Sequence, residues 1–371
     1  MKIAFVRTKV ESTVFLDRGC DGGPLTPAEL ESLKISAKAG SSSKNMILAL
    51  QEYGFIDQCE EWKFWAGPTI NLPVPDGMPV RLFHCEDDLT SRDLARYLNA
   101  NPAPDILWVE GTHLPAYLKQ IFALCRDSFK IIYSKDWKPW KVRGLEQYDF
   151  CLVDEDWQIR KVKKHAPGVE AGVWDKLIDY QRLHIPLPEE KKYDVCYVAY
   201  FRRRKNHELL FESLAQLKDR PIRTLCVGDD RENRMERLKQ WTRELGIEVH
   251  FMGEVPKVEV NRLMNQSRMG VMCAEDDAAP RVILEYMAAD LPVLVNRRLL
   301  AGARYVGPEA GRVVPPEQFA DGIRTMLDSL ESFQPRRYFL EHFSKPRVVK
   351  KFVLLFRDWR LFEQEKLNAL A

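Results

Sequence analysis

Short apolar runs alternate along this chain with longer stretches in which apolar residues recur at i, i+3 and i+4, a pattern that predicts strand-helix units building parallel sheets. In the first half, residues 3–6, 80–84, 106–110, 130–134 and 150–153 read as strands, and residues 44–53 and 114–125 as helices. Residues 8–38 fit neither period and read as a long excursion after the first strand. A second series of strands covers 193–199, 223–227, 249–252, 269–273 and 292–296, with helices near 206–217, 231–244, 256–266, 281–289 and 316–331. The stretch His184-Ile185-Pro186-Leu187-Pro188-Glu189-Glu190-Lys191-Lys192, rich in proline and charge, reads as the linker. The expected fold class is therefore α/β, with two Rossmann-like doubly wound domains, 1–187 and 188–346. Phe352, Leu355, Phe356, Trp359 and Phe362 stand at helical spacing, so a terminal helix over 347–371 is expected, packed back on the first domain. Two such domains place the expected ligand site in a cleft that faces the carboxyl ends of the strands.

Composition sharpens this picture by exclusion. A chain of 371 residues is long enough for about two ordinary domains of roughly 100–200 residues, and 45% hydrophobic with 30% charged residues rules out a disordered or fibrous chain. Lys plus Arg number 56 against 54 Asp plus Glu, so the net charge of +2 gives no global reason to expect nucleic acid. Any basic site must be local. No apolar run approaches the roughly 18 residues of a membrane span, and residues 1–7 read as a strand and not as the apolar core of a signal peptide. These features predict a soluble, cytoplasmic protein. The eight cysteines form no C-x-x-C pair and several sit inside apolar runs, which predicts buried, reduced thiols and supports neither a zinc site nor a disulfide framework.

No G-x-G-x-x-G follows a predicted strand and no G-x-x-x-x-G-K-[ST] occurs, which argues against a nicotinamide, flavin or P-loop site. The informative stretch is 269–295. A buried strand ends in Glu275-Asp276-Asp277, the small turn Ala278-Ala279 follows, and Pro280-Arg281 opens a helix whose first-turn N–H groups are free for an anion. Arg281 and Glu285 are four apart and share one helix face, a guanidinium for phosphate and a carboxylate one turn on that can accept hydrogen bonds from vicinal ribose hydroxyls. A salt bridge on a solvated face is the bland alternative for this pair.

Asp277, Glu285 and the following Tyr286-Met287-Ala288-Ala289-Asp290-Leu291-Pro292-Val293 resemble the donor-domain motif of family-4-type glycosyltransferases of the GT-B fold, which has two acids followed by Ala-Met-Ala-x-Gly-x-Pro-Val. The resemblance covers about 190–330. It implies that Glu285 holds the donor ribose and that Asp277, a shortened first acid, reaches the transferred sugar. Asp290 stands where that family has glycine. At the turn Arg202-Arg203-Arg204-Lys205-Asn206, Lys205-Asn206 matches the family, while Ala199-Tyr200 replaces its Gly-Arg, leaving Arg202 or Arg204 as substitutes. Four cations there suit a diphosphate leaving group in the absence of a metal, by neutralising charge that grows as the glycosidic bond breaks. A solvated basic turn is the alternative, and Asn206 also suits a helix N-cap. Gly228 and Gly253 resemble the family's Val-Gly strand end and its Phe-x-Gly turn near the nucleobase.

The first domain is less informative. Gly40, Ser41 and their neighbours precede the 44–53 helix, where small residues permit close backbone approach to a phosphate or sugar and equally suit a plain helix cap. Asp136 stands where the family often has His, beside Trp137; a carboxylate there suits a general base or a sugar contact, or an ordinary exposed acid. His113, after the 106–110 strand, is another candidate on the acceptor side. The clusters 137–143 and 160–165 place indoles and cations together, which suits peripheral contact with anionic lipid headgroups, although acids at 146, 149 and 154–156 dilute the charge and a solvated surface explains them too.

The expected activity is transfer of a sugar from a nucleotide-diphosphate sugar to a hydroxyl acceptor on a glycan, a lipid or a small molecule, with no metal and no cofactor beyond the donor substrate. Asp277, Asp136, Lys205 and Arg202 are the expected catalytic residues. Arg204, Lys205, Asn206, Gly228, Gly253, Asp277, Ala278, Ala279, Arg281 and Glu285 form the expected donor site. The resemblance implies retention of anomeric configuration. An epimerase or hydrolase acting on nucleotide sugars, and a catalytically silent nucleotide- or glycan-binding protein, are the alternatives.

Overall fold

The computed structural model describes residues 1–8, 41–75, 77–217 and 219–370. The chain divides into two compact units, one comprising 1–177 with 345–371, the other 178–344. The first unit carries an eight-stranded sheet of β1 (Lys2–Arg7), β2 (Gln58–Trp65), β3 (Ile70–Leu72), β4 (Val80–His84), β5 (Ile106–Glu110), β6 (Phe129–Tyr133), β7 (Phe150–Val153) and β8 (Glu170–Val173). Its order is β3-β4-β2-β1-β5-β6-β7-β8, parallel except where β3 runs against β4. Strands β5 and β7 are buried along their whole length, as parallel strands covered on both faces must be. Four helices of this unit are α1 (Ser42–Glu52), α2 (Arg92–Ala100), α3 (Ala116–Leu124) and α4 (Asp156–His165). Ser41 and Ser91 cap α1 and α2 by accepting the Lys44 and Leu94 N–H groups at 3.2 and 3.1 Å.

Three strands of this sheet, β2, β3 and β8, are not read from the apolar pattern, and β2 shows why. Its sequence, Gln58-Cys59-Glu60-Glu61-Trp62-Lys63-Phe64-Trp65, is interrupted by three charges, yet it lies inside the sheet between β1 and β4. Glu61 is wholly buried and accepts the Lys44 ammonium at 2.6 Å, with Lys63 3.7 Å away. Burial pushes the Glu61 carboxyl up, but Lys63, Lys44 and Arg7 outweigh it and hold the group below the usual glutamate value. Burial conversely drags Lys44 down to about 8 against the pull of Glu61. The charges are core residues by pairing.

The terminal helix covers Lys345–Leu355, shorter than the sequence reading of 347–371. Beyond it the chain continues in two 3-10 segments, Arg357–Trp359 and Gln364–Leu370. The aromatic residues of this C-terminal segment pack on the first sheet: Phe352 of the helix stacks on Trp108 at 5.2 Å between centroids, and Phe356 just beyond it lies 4.6 Å from Phe150. Trp137, Trp140 and Trp157 form a chain of edge-on contacts at 6.2 and 5.8 Å that joins the two basic segments of this unit. No helix among the described residues is long and apolar enough to cross a membrane. Residues 9–40, with the expected excursion and Gly40, lie outside the described residues.

The second unit carries a six-stranded, all-parallel sheet of β9 (Tyr193–Val198), β10 (Thr224–Val227), β11 (Val249–Met252), β12 (Ser267–Met272), β13 (Val293–Asn296) and β14 (Gly311–Val314), in the order β11-β10-β9-β12-β13-β14. Its helices are α5 (His207–Ala215), α6 (Met235–Leu245), α7 (Lys257–Asn265), α8 (Val282–Ala288), α9 (Phe319–Asp328) and α10 (Pro335–Phe343). The stretch 184–192 is tied to this unit: Asn261 and Asn265 amides donate to the Ile185 carbonyl at 3.0 and 2.9 Å, and the Lys192 N–H donates to the Gln266 carbonyl at 2.8 Å. The seven described cysteines, Cys59, Cys85, Cys125, Cys151, Cys196, Cys226 and Cys273, are free and buried. Burial pushes the thiols up, to about 11 at Cys85 and about 12 at Cys196.

His207 opens α5 with no exposed surface, its ring 4.9 Å from that of Tyr197 and 5.3 Å from that of Phe201. Neither ring nitrogen has a hydrogen-bond partner. Burial, aided by the nearby Arg234 and Lys205 cations, depresses its pKa from 6.5 to about 3. The folded protein keeps this imidazole neutral while the unfolded chain protonates it, so stability is intact above pH 6.5 and is lost as pH falls from there toward 3. Denaturant titrations should show wild type losing about 2 kcal/mol more than His207→Leu between pH 6.5 and 5, at roughly 1.4 kcal/mol per unit. Parallel pH profiles for the two proteins would remove His207 from this account.

Candidate active site

The site grows from the ends of β9 and β12. The Val198 N–H donates to the Tyr286 hydroxyl at 2.7 Å, and that hydroxyl donates to the Cys196 carbonyl at 3.3 Å, pinning α8 to the end of β9. Beyond β9 the ladder with β10 continues, the Ala199 N–H donating to the Val227 carbonyl at 2.9 Å. The chain then turns through the 3-10 segment Arg203–Lys205 into α5. Asn206 takes a left-handed conformation, φ 52°, accepts the Leu209 N–H at 3.3 Å as the N-cap, and donates to the Cys273 carbonyl at 3.3 Å. One side chain thus starts α5 and ties it to the end of the neighbouring strand.

After β12, the Ala278 N–H donates to Asp277 Oδ1 at 2.9 Å and Ala279 turns left-handed, φ 44°. Helix α8 begins at Val282, one residue beyond Arg281, and the Glu285 N–H donates to the Arg281 carbonyl at 2.9 Å, which places the two side chains one turn apart.

These elements enclose a cavity of about 360 Å³, lined among others by Lys205, Gly228, Asp277, Arg281 and Glu285. That size and its mixture of apolar walls with a few charged groups suit a small-molecule site. The Lys205 ammonium donates to Asp277 Oδ2, and both side chains are largely buried. A cation and a carboxylate contributed by two different strand ends are thereby fixed against each other. Glu285 Oε1 stands 3.7 Å from His184 Nε2. Burial holds His184 below its usual value, against the pull of Glu285 and with the help of Arg281 and Lys257.

The other expected donor residues are placed differently. Arg202, Arg204, Asn206, Gly253, Ala278 and Ala279 are not among the lining residues. Arg202 has its Nε 3.7 Å from Glu232 and its guanidinium 5.3 Å from the Tyr200 ring centroid, while Arg204 is exposed. In the first unit, Ser41 is the α1 cap and His113 is exposed. Asp136, also exposed, accepts the Lys138 N–H at 3.1 Å, and the Trp137 carbonyl accepts the Gln158 amide at 2.9 Å. The lining also includes His184, Tyr200, Asp229, Glu254 and Lys257, which the sequence reading does not assign. Glu254 follows Gly253 directly and Lys257 opens the helix that comes next, so the turn at Gly253 is the signal that points to them. His184, by contrast, is remote from every motif.

Residues 181–338 match the family described as glycosyl transferases group 1. Among curated proteins, the chain is 27% identical over 156 residues to a GDP-Man:Man(3)GlcNAc(2)-PP-Dol alpha-1,2-mannosyltransferase of Xenopus laevis, covering 39% of this chain and 30% of the relative. A Xenopus tropicalis protein of the same description is 26% identical over 153 residues, again at 30% of its length. The chain therefore spans under a third of the curated relatives it matches. Among solved structures it is similar to sucrose-phosphate synthase from Thermosynechococcus elongatus, with a TM-score of 0.67 at 16% identity over 97% of this chain and 99% of that one. It is likewise similar to Anabaena Alr3699/HepE in complex with UDP, with a TM-score of 0.67 at 13% identity over 96% and 100%.

Gly228 admits no side chain: a Cβ there would lie 2.0 Å from the Ala199 carbonyl oxygen. Gly228→Ala is expected to cost about 1–3 kcal/mol, as overpacking does, read as a lower thermal midpoint. An unchanged midpoint would mean that the β9 and β10 ends part freely.

Proposed function

From a second unit that carries a group 1 glycosyltransferase domain on an α/β fold of the GT-B kind, we propose that this chain transfers a sugar from a nucleotide-diphosphate sugar to a hydroxyl acceptor. The observation that supports this reading is that Lys205, Asp277, Arg281 and Glu285, drawn from two separate stretches of sequence, line one cavity. Lys205 and Arg281 are the diphosphate cations, Glu285 accepts the ribose hydroxyls, and Asp277 accepts a hydroxyl of the transferred sugar while holding Lys205 in place. The acceptor side is assigned to the first unit.

In the proposed reaction the bond between the sugar C1 and the diphosphate oxygen breaks as the acceptor oxygen bonds to C1 on the same face. The acceptor proton passes to the departing phosphate, and the anomeric configuration is retained. Charge accumulates on the leaving diphosphate in the transition state, and the largely buried Lys205 and the Arg281 guanidinium of the cavity lining offset it without a metal. The names of the similar proteins include a GDP-mannose donor and bound UDP. Either nucleotide is compatible with the charged groups assigned above, which engage the diphosphate and ribose and leave the base unread.

The test is mass analysis of products from a panel of nucleotide sugars, with and without hydroxyl acceptors. Transfer requires a glycosylated acceptor; free sugar or an epimerised donor without acceptor would overturn it. Glu285→Ala should weaken donor binding by about 10- to 100-fold, the worth of hydrogen bonds to a charged group, as read by calorimetry. Lys205→Ala should lower kcat by about 10²- to 10³-fold in the same product assay. Wild-type affinity in Glu285→Ala would refute the ribose assignment.

A further inference from the structure

His184 lies on the turn before β9 and is 6% exposed, yet it lines the cavity. Its Nδ1 is buried without a hydrogen-bond partner, and its Nε2 is aimed at Glu285 Oε1 at 3.7 Å, beyond hydrogen-bond length. The backbone that carries the ring is held firmly. Arg336 of α10 donates through Nη1 to the His184 carbonyl at 3.0 Å and to the Tyr180 carbonyl at 3.4 Å. The same nitrogen donates to the carbonyl of Ala288, the last residue of α8, the helix that carries Glu285. The Arg336 N–H in turn donates to Asp290 Oδ1 at 3.0 Å. One guanidinium thus binds the turn bearing His184 to the helix bearing Glu285. Asp290, which stands where the resembling family has glycine, accepts the backbone of that clamp while in a left-handed conformation, φ 64°.

We infer that His184 is the positioning residue of the Glu285 carboxylate, fixing the rotamer in which Glu285 meets the donor ribose. The inference rests on the reading of Glu285 as the ribose acceptor. A carboxylate has several side-chain rotamers, and a donor bound to the wrong one forfeits its hydrogen bonds. A neutral imidazole beside Oε1 favours one rotamer and leaves the negative charge available to the ribose hydroxyls. An imidazolium there would form an ion pair and compete with them. The charged groups that face His184 are Glu285 of α8, Arg281 at the N-cap of that helix, Lys257 of α7 and Asp179 of its own turn. Burial keeps the ring neutral at neutral pH by lowering its pKa.

The experiment is calorimetric titration of the full chain with GDP and with UDP at pH 7.5. The proteins are wild type, His184→Leu, His184→Gln, Glu285→Ala and the double variant His184→Leu with Glu285→Ala, each checked by thermal unfolding. The tighter nucleotide should bind His184→Leu about fivefold more weakly than wild type, a typical size for coupled neighbours. His184→Gln, which restores a neutral polar side chain of similar reach beside Glu285, should recover most of that loss. In the Glu285→Ala background, His184→Leu should change affinity by less than about twofold. Equal losses in both backgrounds, or wild-type affinity in His184→Leu, would overturn the inference while leaving the ribose assignment intact. Binding of neither nucleotide to wild type would overturn the function proposed above and the inference with it. Should His184→Leu fold poorly, His184→Asn takes its place: the shorter side chain withdraws from Glu285, so its affinity should fall about fivefold, and wild-type affinity in both His184→Asn and His184→Gln would reject the positioning role.

Discussion

Everything in the second unit depends on a reversal of strand order. From β9 the chain steps outward on one side through β10 to β11, then returns to lay β12 against the other flank of β9 and continues outward to β14. Parallel connections of one hand force the loops after β9 and β12 to diverge, so a crevice opens between them at the carboxyl end of the sheet. Lys205 leaves one side of that crevice and Asp277 the other, and the pair joins across it. The Tyr286 hydroxyl, bonded to the backbone of β9, and the Asn206 amide, bonded to the end of β12, hold the two sides at a fixed separation. The site is a product of topology first and of side chains second.

The first unit repeats the device with different chemistry. Its order reverses at β1, which pairs with β2 on one side and β5 on the other. At the end of β1, Arg7 has its Nε 3.1 Å from Glu110 of β5 and 4.0 Å from Glu61 of β2. The Ser43 hydroxyl of α1 adds a 2.7 Å hydrogen bond to Glu110. Burying several charges together demands close mutual pairing, because each ion loses its hydration and recovers it only from its partners.

That demand also explains where the amino-acid sequence is readable and where it is not. Strands such as β5 and β7, apolar at nearly every position and bounded by turns, declare themselves because burial on both faces leaves no other composition. Strand β2 hides because Glu60, Glu61 and Lys63 look like solvent-facing residues until Lys44, from a helix elsewhere in the chain, is brought alongside. In the candidate site, Arg281 and Glu285 are legible because helical periodicity alone sets them on one face. Gly228 is legible because it ends a strand, and Lys205 because it stands in the turn that leads from a strand into a helix. The roles of Arg202 and Arg204 are not, since four consecutive cations give no hint of which one turns inward. Only Lys205 does, with Asn206 spent on capping. His184 is invisible for a simpler reason: what brings it to Glu285 is a guanidinium over 150 residues away in sequence, bonding backbone carbonyls that any residue could supply.

The buried thiols among the described residues divide four and three between the units, with Cys59, Cys85, Cys125 and Cys151 in the first and Cys196, Cys226 and Cys273 in the second. An alkylating reagent reaches a sulfur of this kind only when the sheet around it opens, and then marks it irreversibly by mass. The molecule therefore carries its own record of which half breathes, and a ligand that tightens one sheet alone would leave its signature in the unequal modification of the two sets.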